Sequence, residues 1–410
     1  KSGARVENLL ELAALSMDHS ALRAAAAHLE EARPLLGGDE AQTTRYRALA
    51  ERLFEALWKG IGSYAQNRGA AAAQEFLCRA LRLNTPDMAP IPDRPATVTH
   101  VALVANTDLY QCRLYRVDQK AEQLRAAGCE VSVFDQREGL EAFRAGLERF
   151  SAAIFYRVPA FPDIMKAIAA CSVHGVPSFY EIDDLIFDMA HFPPPFETYA
   201  GQITRAHHRD MACSVPLFDH AMRLCDHGIG STRVLCEAMA ERVRSGRAFA
   251  HHNALGALHL AAIEDRETLP ARPSEAPLVL FYGSGTLAHK EDFHTILEPA
   301  LAEILRRYKG RVELQLVGSY GAFRHLDPAS DAIRVLPPVW DFEQYWSMLA
   351  GADINLSVLA PGPVTDAKSE IKWMEAAMFG IPSVVSHTAS HADVIAHGET
   401  GFLCKTSRDF

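Results

Sequence analysis

The amino-acid sequence lacks an uninterrupted apolar run that approaches the roughly 18 residues needed for a membrane-spanning helix. Its first 20 residues do not resemble a signal peptide, because Glu7, Glu11 and Asp18 interrupt every apolar stretch. None of the eight cysteines forms a CxxC pair, and they are scattered through apolar or helical stretches. This distribution favours reduced thiols over a disulfide framework, so we expect a cytoplasmic protein.

An excess of positive charge is also missing. The chain carries 41 Lys and Arg against 51 Asp and Glu, a net charge of −10, so neither a nucleic acid nor an anionic bilayer is favoured as the main partner. Hydrophobic residues make up 49% and charged residues 22%, which is typical of globular proteins. A length of 410 residues exceeds one ordinary core and suits two domains with an additional segment.

Residues 1–85 are rich in Ala, Leu, Glu and Arg, and their apolar residues recur at helical spacing. Pro34 and the pair Gly37–Gly38 are expected to end the first helical hairpin, and Gly60 and Gly62 the second. The segment meets no repeat signature. We therefore predict a helical appendage that binds a protein partner or self-associates and carries no chemistry.

The rest of the chain alternates strand and helix patterns. Residues 86–97 form a linker whose four prolines cannot continue a helix. Residues 98–261 alternate short apolar strands with helices, a charged and Pro-containing linker follows at 262–277, and the pattern restarts at 278–410. This order predicts parallel sheets with helices on both faces. The expected fold class is α/β, with two Rossmann-like domains facing a cleft where ligands bind at the carboxyl ends of the strands.

The segment 366–382 carries the strongest chemical signal. Its pattern predicts a helix from about Ala367 that places Lys368, Lys372 and Glu375 on one face. A helix N-terminus beside two lysines suits a phosphate, and Glu375 is placed to accept hydrogen bonds from vicinal hydroxyls. The alternative is a solvated Lys/Glu face. The adjacent apolar face should pack on the sheet through Ile371, Met374 and Met378.

Six motifs occur together within residues 98–410. They are YRVDQKAEQLRAAGCEV (115–131), YEIDDLIFD (180–188), FYGSGTLAHKEDF (281–293), EAAMFGIP (375–382), VVS (384–386) and GETGFL (398–403). Together with Asn253, which precedes the second linker, they resemble retaining glycosyltransferases with the GT-B fold, of the family-4 type, and in particular a bacterial subgroup that builds surface polysaccharides.

The resemblance implies transfer of a sugar from a nucleotide-sugar donor of the UDP or GDP type to a hydroxyl of a glycan, a lipid-linked or a protein acceptor. It implies retention of anomeric configuration and needs neither a metal nor another cofactor. The first domain should bind the acceptor and the second the donor. Such an enzyme works in glycan or polysaccharide synthesis, in the cytoplasm or at the inner membrane face.

The resemblance also implies roles for residues of the second domain. Glu375 matches the family's ribose-binding Glu, and Lys290 matches a cation that grips the diphosphate and stabilises the leaving group. The remaining donor-binding candidates are Gly283, Ser284, Gly285, His289, Asp366, Lys368, Ser369 and Lys372.

Two positions depart from the family pattern. Ala367 stands where the family often has the first Glu of a Glu-x7-Glu pair, so Asp366 or backbone amides near Lys368 are expected to replace its contact with the donor sugar. Ser284 stands where the family has an Arg, so Lys368 or Lys372 is expected to supply the missing charge.

The first domain offers fewer candidates. Asp183 and Asp184 match the place where the family often has a His facing the anomeric carbon, so we assign them, with Lys290, as catalytic. One of the two is expected to cap a helix that begins near Leu185, and a metal-binding pair is the less favoured alternative. Arg113 and Arg116 are candidates for an acceptor phosphate or carboxylate, or else are helix-surface arginines.

Two alternatives to a glycosyltransferase stay open, and a third is only weakly supported. A sugar-nucleotide epimerase would share the architecture, although no acid/base pair is evident. The departures at Ser284 and Ala367 also suit a non-catalytic scaffold that binds partners through residues 1–85. The GSG sequence at 283–285 lacks a full dinucleotide fingerprint, so oxidoreduction is weak.

The end of the sequence, GFLCKTSRDF, is expected to continue in helices that complete the second domain. The chain is therefore expected to be part of a longer polypeptide or a trimmed form of it.

Overall fold

A computed structural model describes most of the chain. The described residues are 2–92, 97–267, 273, 275–285 and 288–410. Parts of both predicted linkers and two positions of the predicted phosphate loop lie outside the described residues, and these are 93–96, 268–272, 274 and 286–287.

The first part of the chain is helical, as predicted. Asp39 caps its longest helix by accepting a hydrogen bond from the backbone N–H of Gln42. The prediction that Gly60 and Gly62 end a helix is wrong, since that helix continues through both and ends before Gly69, whose φ is +90°. The elements are α1 Ser2–Asp18, α2 Leu22–Ala32, a 3₁₀ turn Arg33–Leu35, α3 Glu40–Arg68 and α4 Ala70–Asn84.

The first α/β domain contains a parallel sheet of six strands in the order β2-β1-β3-β4-β5-β6. The strands are β1 His100–Ala105, β2 Glu130–Asp135, β3 Ala152–Tyr156, β4 Ser178–Ile182, β5 His227–Gly230 and β6 Ala248–Ala250. The helices are α5 Tyr110–Arg113, a π turn Leu114–Asp118, α6 Gln119–Ala126, α7 Leu140–Ala145, α8 Pro162–Val173, α9 Arg205–Leu224 and α10 Arg233–Ala240, with 3₁₀ turns at Leu147–Arg149 and Phe196–Tyr199.

The second domain contains another parallel six-stranded sheet, in the order β12-β11-β10-β7-β8-β9. Its strands are β7 Leu278–Ser284, β8 Val312–Gly318, β9 Ile333–Leu336, β10 Ile354–Ser357, β11 Ser383–Ser386 and β12 Phe402–Cys404. Its helices are α12 Lys290–Asp292, a π turn Phe293–Leu297, α13 Glu298–Arg307, α14 Phe342–Ala350, α15 Pro363–Asp366, α16 Ile371–Ala377 and α17 Ala389–Val394. The predicted class of two Rossmann-like domains preceded by a helical segment is confirmed.

The helix α11, Ala257–Glu267, joins the two domains. It occupies the start of the stretch predicted as the linker 262–277, so that part of the linker is helical rather than extended. Its buried residue His259 faces both domains, because its ring contacts Tyr115 of the first and Trp346 of the second.

The helical segment shares one hydrophobic core with the first α/β domain. The rings of Phe54 and Trp58 in α3 meet the ring of Phe161, just before α8, edge to face at 5.9 and 5.7 Å. The side-chain amide of Gln74 in α4 donates to the backbone carbonyl of Ala212 in α9 at 2.8 Å. The segment is therefore built into the domain rather than attached to its surface.

The predicted helix over 366–382 differs in its first turns. A short helix, α15, ends at Asp366, and α16 begins only at Ile371, so Lys368 lies between helices and does not share a face with Lys372 and Glu375. The carbonyl of Ala367 accepts a hydrogen bond from Thr232 of the first domain at 3.1 Å, a contact that no local pattern shows. The apolar face also differs from the prediction, because it packs on an interdomain cluster of Leu114, Tyr115 and Trp346 instead of the sheet.

The structure bears on two features considered in the sequence analysis, membrane-spanning helices and disulfide bonds. Across the described ranges, no helix is long and apolar enough to cross a membrane. All eight cysteines are free thiols, and five of them are buried.

Candidate active site in the interdomain cleft

A cavity of about 160 Å³ lies between the two α/β domains. Ser284 and Ser357, at the carboxyl ends of β7 and β10, reach it from the second domain, and Asp183 reaches it from the end of β4. β7 and β10 are the strands between which the chain order of the second sheet changes direction, and doubly wound sheets bind ligands at such a point. The predicted site residues that line the cavity are Arg116, Asp183, Asp184, Ser284, His289, Lys368, Ser369 and Lys372.

A larger cavity, of about 910 Å³, lies at the opposite end of the second sheet. It is lined by Leu278 and Val312, the first residues of β7 and β8, and by aliphatic side chains of α13. Because ligands of such sheets bind at the carboxyl ends of the strands, we assign the active site to the smaller, interdomain cavity.

Two lysines, the buried Lys290 and the half-buried Lys372, supply positive charge beside this cavity. The Lys290 ammonium donates to the Ser284 hydroxyl at 2.9 Å and lies 5.0 Å from the centre of the Tyr320 ring. The Lys372 ammonium lies 5.1 Å from the centre of the Tyr282 ring. Burial lowers the pKa of Lys290 to about 8. Burial and repulsion from neighbouring lysines lower the pKa of Lys372 to about 8. A bound anion would stabilise both charged forms.

The loop after β7 approaches other groups closely. A Cβ at Gly283 would lie 2.5 Å from the Tyr345 hydroxyl, so glycine is required there for this packing, whereas Gly285 faces open space. His289 has a left-handed backbone, with φ of +64°, and its Nδ1 lies 3.1 Å from the Asp292 carboxylate. Gly283 and Gly285 do not line the cavity, and His289 does.

Glu375 differs most from its predicted environment. Its Oε1 accepts hydrogen bonds from the Tyr115 hydroxyl at 2.5 Å and from the Trp346 indole at 2.9 Å. Burial raises the pKa of Glu375, and only 3% of the residue is exposed. Tyr115 lines the cavity and Glu375 does not, so the predicted cleft-facing carboxylate is covered in this conformation.

The two candidate aspartates are held by different cations. Asp184 accepts from the Lys368 ammonium of the second domain at 2.9 Å, and Asp183 lies 3.2 Å from the guanidinium of Arg157. Burial opposes ionisation, but Lys368 and Arg157 hold the pKa of Asp184 below its usual value. The predicted helix near Leu185 is wrong, since turns follow both aspartates and neither caps a helix.

Arg157, which the sequence analysis did not single out, holds Asp183 beside the cavity without lining the cavity itself. It directly follows β3 and has a φ of +51°, an uncommon conformation for a residue with a side chain. Such strain is tolerated where surrounding contacts fix it, and here the guanidinium meets Asp183 and the Cys112 thiol. The sequence did carry one signal for this residue, because Arg157 lies at the end of a predicted strand and the carboxyl ends of the strands were expected to form the site.

The two candidate acceptor arginines occupy different environments. Arg113 is exposed, pairs with Asp118 at 3.3 Å and does not line the cavity, so the surface alternative holds for it. Arg116 lines the cavity but is buried, and its guanidinium lies 2.6 Å from Glu181 and donates to Asn253 at 3.2 Å. Arg116 therefore anchors the loop around Asn253 to the first domain.

Of the candidate residues near Ala367, one lines the cavity and another does not. Asp366 accepts from the backbone N–H of Ala389 at 2.8 Å and does not line the cavity, so it does not reach the donor-sugar position proposed for it. Ser369 lines the cavity. His391, which no sequence pattern indicated, lines it too, and its Nδ1 donates to the Ser386 carbonyl at 2.9 Å.

Asp183 and Asp184 raised the alternative of a metal site. No group of three or more His, Cys, Asp or Glu side chains within the described part of the chain is arranged to hold a metal ion.

Comparison with known proteins gives one match to a protein family. Residues 276–410 match the family model described as "Glycosyl transferases group 1". No curated protein sequence matches the chain significantly.

Solved structures resemble the chain at low identity. Anabaena HepE in complex with UDP and glucose is 15% identical over 76% of this chain and 88% of that chain, with a TM-score of 0.46. The O-GlcNAc transferase of Thermobaculum terrenum is 13% identical over 100% of this chain and 88% of that chain, with a TM-score of 0.41. The UDP-GlcNAc 2-epimerase of Methanocaldococcus jannaschii is 9% identical over 76% of this chain and 90% of that chain, with a TM-score of 0.43. The family match thus associates the second domain with the group 1 glycosyl transferases.

Proposed function

We propose that the protein is a glycosyltransferase that moves a sugar from a UDP- or GDP-type donor to a hydroxyl acceptor, with retention of configuration and without a metal. The observation that carries this proposal is the pair of lysines, the buried Lys290 and the half-buried Lys372, at the carboxyl edge of a Rossmann-like sheet. No described carboxylate lies within ion-pair distance of either ammonium. The match of residues 276–410 to a glycosyl transferase family supports the same function.

Leaving-group stabilisation is the chemical role of the lysines. As the bond between the sugar and the nucleotide diphosphate breaks, negative charge grows on the diphosphate. Lys290 is fixed by Ser284 and lies in a desolvated setting, so its attraction to that growing charge is stronger than it would be in water. Lys372 supplies a second positive charge, in place of the Arg that the family has at the position of Ser284.

The cleft must change shape during this reaction. Ligand sites for molecules of this size are usually about 300–1,000 Å³, and the interdomain cavity measures only about 160 Å³. The two domains therefore separate to admit a nucleotide sugar and close on it, which excludes water and suppresses hydrolysis of the donor.

The acceptor enters from the first domain. Asp183 and Asp184 orient its hydroxyl, and Arg116 holds the wall of the site on which they lie. A glycan, a lipid-linked sugar or a protein side chain each offers such a hydroxyl. We place the reaction in glycan or polysaccharide synthesis in the cytoplasm or at the inner membrane face.

Calorimetric titration with UDP and GDP tests the donor site. At least one nucleotide should bind, and Lys290→Met and Lys372→Met should each weaken binding tenfold or more. Lys309→Met is the matched control, because Lys309 is exposed in the same domain. This variant should bind the nucleotide as tightly as the parent protein does. Absence of binding to either nucleotide would favour the scaffold alternative.

Incubation with a panel of UDP-, GDP- and dTDP-sugars separates the catalytic classes. A glycosyltransferase releases the nucleoside diphosphate slowly in the absence of acceptor and faster with one. Conversion of the donor sugar to its epimer, with no nucleoside diphosphate released, would identify an epimerase instead.

A further inference from the structure

The carboxylate of Glu375 is separated from the cavity by Tyr115. Tyr115 comes from the π turn Leu114–Asp118 of the first domain, whereas Glu375 lies on α16 of the second. The phenol oxygen is 2.5 Å from Glu375 Oε1, and the Trp346 indole nitrogen lies 2.9 Å from the same oxygen. Because Oε1 has two lone pairs and already accepts two hydrogen bonds, it cannot accept another from a ligand.

The direction of the Tyr115 hydrogen bond is fixed by His259 of the connecting helix. The backbone N–H of Gly256 can only donate, and it points at His259 Nδ1 at 3.2 Å, so Nδ1 is the acceptor. The ring proton is then on Nε2, which donates to the Tyr115 oxygen at 3.1 Å. Tyr115 in turn directs its own proton to Glu375. The hydroxyl is thus satisfied on both sides.

Apolar packing seals the same contact. Leu114, Tyr115 and Trp346 form a buried cluster against which Ile371 and Met374 of α16 pack. The His259 ring lies 4.4 Å from the Trp346 ring. The first domain, the connecting helix and the second domain therefore meet at the one carboxylate to which the resemblance assigns a ribose.

We propose that Tyr115 is a positioning residue of the donor site, which occupies the ribose-binding edge of Glu375 in the empty protein and withdraws when the donor enters. This inference rests on the proposed function, since it takes the ligand of Glu375 to be a vicinal diol. A phenol hydroxyl and a sugar hydroxyl offer the carboxylate the same type of donor, so the two compete for Oε1. Donor binding is thereby coupled to separation of the domains.

Competition predicts that loss of the phenol hydroxyl improves donor binding. Tyr115→Phe keeps the ring in its apolar cluster and removes only the hydrogen bond to Glu375. Because a hydrogen bond to a charged group favours the closed, empty state, its loss should tighten UDP binding about three- to tenfold in calorimetry. A merely structural role would leave the affinity unchanged or weaken it, and either result would overturn the proposal.

Tyr199→Phe is the matched control. Tyr199 is buried in the same domain, and its hydroxyl has no hydrogen-bond partner among the described residues. Its UDP affinity should equal that of the parent protein. Thermal melting of all three proteins checks that each is folded at the temperature of the titration.

Hydrogen exchange gives a readout that does not need a ligand. In the empty protein, backbone amides of α16 should exchange faster in Tyr115→Phe than in the parent, because the domains separate more often. Equal exchange would contradict the role of Tyr115 whether or not UDP binds. If UDP binds none of the proteins while exchange does increase, the proposed function fails and the contact between the domains stands.

Discussion

Lys368 of the second domain donates to Asp184 of the first, with Nζ 2.9 Å from Oδ1. The sequence assigned these residues to donor binding and to catalysis, and the structure joins them in one ion pair that lines the cavity. In the proposed function, a donor diphosphate that enters the cavity would compete with Asp184 for the Lys368 ammonium. Binding of the donor would therefore release the Asp184 carboxylate toward the acceptor.

Substitutions of the two partners should act in opposite directions on nucleotide affinity. Lys368→Met removes a positive charge from the cavity and should weaken UDP binding several-fold, whereas Asp184→Asn frees Lys368 and should leave UDP binding equal or tighter. Asp184→Asn should still lower turnover. Because the pair is partly exposed, either change should alter the free energy of unfolding by less than about 1 kcal/mol. Weaker UDP binding by Asp184→Asn would contradict this assignment.

Nucleotide binding should weaken in alkaline solution. The pKa values of Lys290 and Lys372 are lowered by burial to about 8, so both lose their charge as the pH rises above that value. We expect UDP affinity to be lower at pH 9.5 than at pH 7. Lys309→Met, which alters an exposed lysine, should keep the same profile as the parent in calorimetry at the two pH values.

The same lysines should give stability the opposite pH dependence. Their ordinary pKa is 10.5, so between about pH 8 and 10.5 the unfolded chain binds more protons than the folded one. The free energy of unfolding contributed by these groups therefore rises with pH across that window. Lys372→Met should reduce this slope in urea titrations at pH 8 and 10, and an unchanged slope would show that Lys372 titrates normally.

A buried carboxylate organises the loop that carries Tyr320. Glu298 accepts backbone hydrogen bonds from residues 324–326 and lies 2.6 Å from His294 Nδ1. Glu298→Gln leaves these donors incompletely paired and should lower the free energy of unfolding by about 3–5 kcal/mol in urea titration. Glu303→Gln is the control, since Glu303 pairs with Arg306 on the surface and its replacement should leave stability nearly unchanged.

The shared core of the helical segment can be tested with Phe54→Ala. Phe54 is buried in α3 and contacts Phe161 of the first α/β domain, so its truncation should cost about 3–5 kcal/mol of stability. Hydrogen exchange should increase in α8 as well as in α3. Protection of α8 that stays at the level of the parent would show that the helical segment unfolds independently. Phe249→Ala, at a half-exposed position, is the control.

The alternation of strands and helices was predictable because strong apolar runs bounded by glycines are local features. Gly128 and Gly175, with φ of +87° and +68°, follow the ends of helices, and glycines at such positions are a signal that the sequence itself carries. The short strands β6, β9 and β12 were missed, since three or four residues carry too little periodicity to be recognised.

One part of the site was predictable from strand ends. Ser284 and Asp183 reach the cavity because the carboxyl ends of parallel strands share one edge of a sheet. Arg113 and Arg116, three residues apart, were expected to face the cleft together. The π turn Leu114–Asp118 intervenes, and the spacing rule of an α-helix does not apply across it.

Contacts distant in sequence were beyond prediction. Tyr115 and Glu375 are 260 residues apart, and neither carries a local pattern that indicates the other. The same is true of Thr232 and Ala367, which form a hydrogen bond between the domains just before the helix that begins at Ile371. The relative position of the two domains decides which candidate residues are open to a ligand. A pattern within one sequence does not predict that position.

The joint core of α1–α4 and the first α/β domain has a mechanical consequence. If the cleft opens and closes as proposed, the helical segment should move together with the first α/β domain, because the two share one core, while the second domain moves against both. Any protein held on the outer faces of those helices would keep a constant distance from the acceptor hydroxyl throughout each turnover. Under the proposed function, the segment would thus be suited to fix the position on a bound partner at which the sugar is attached.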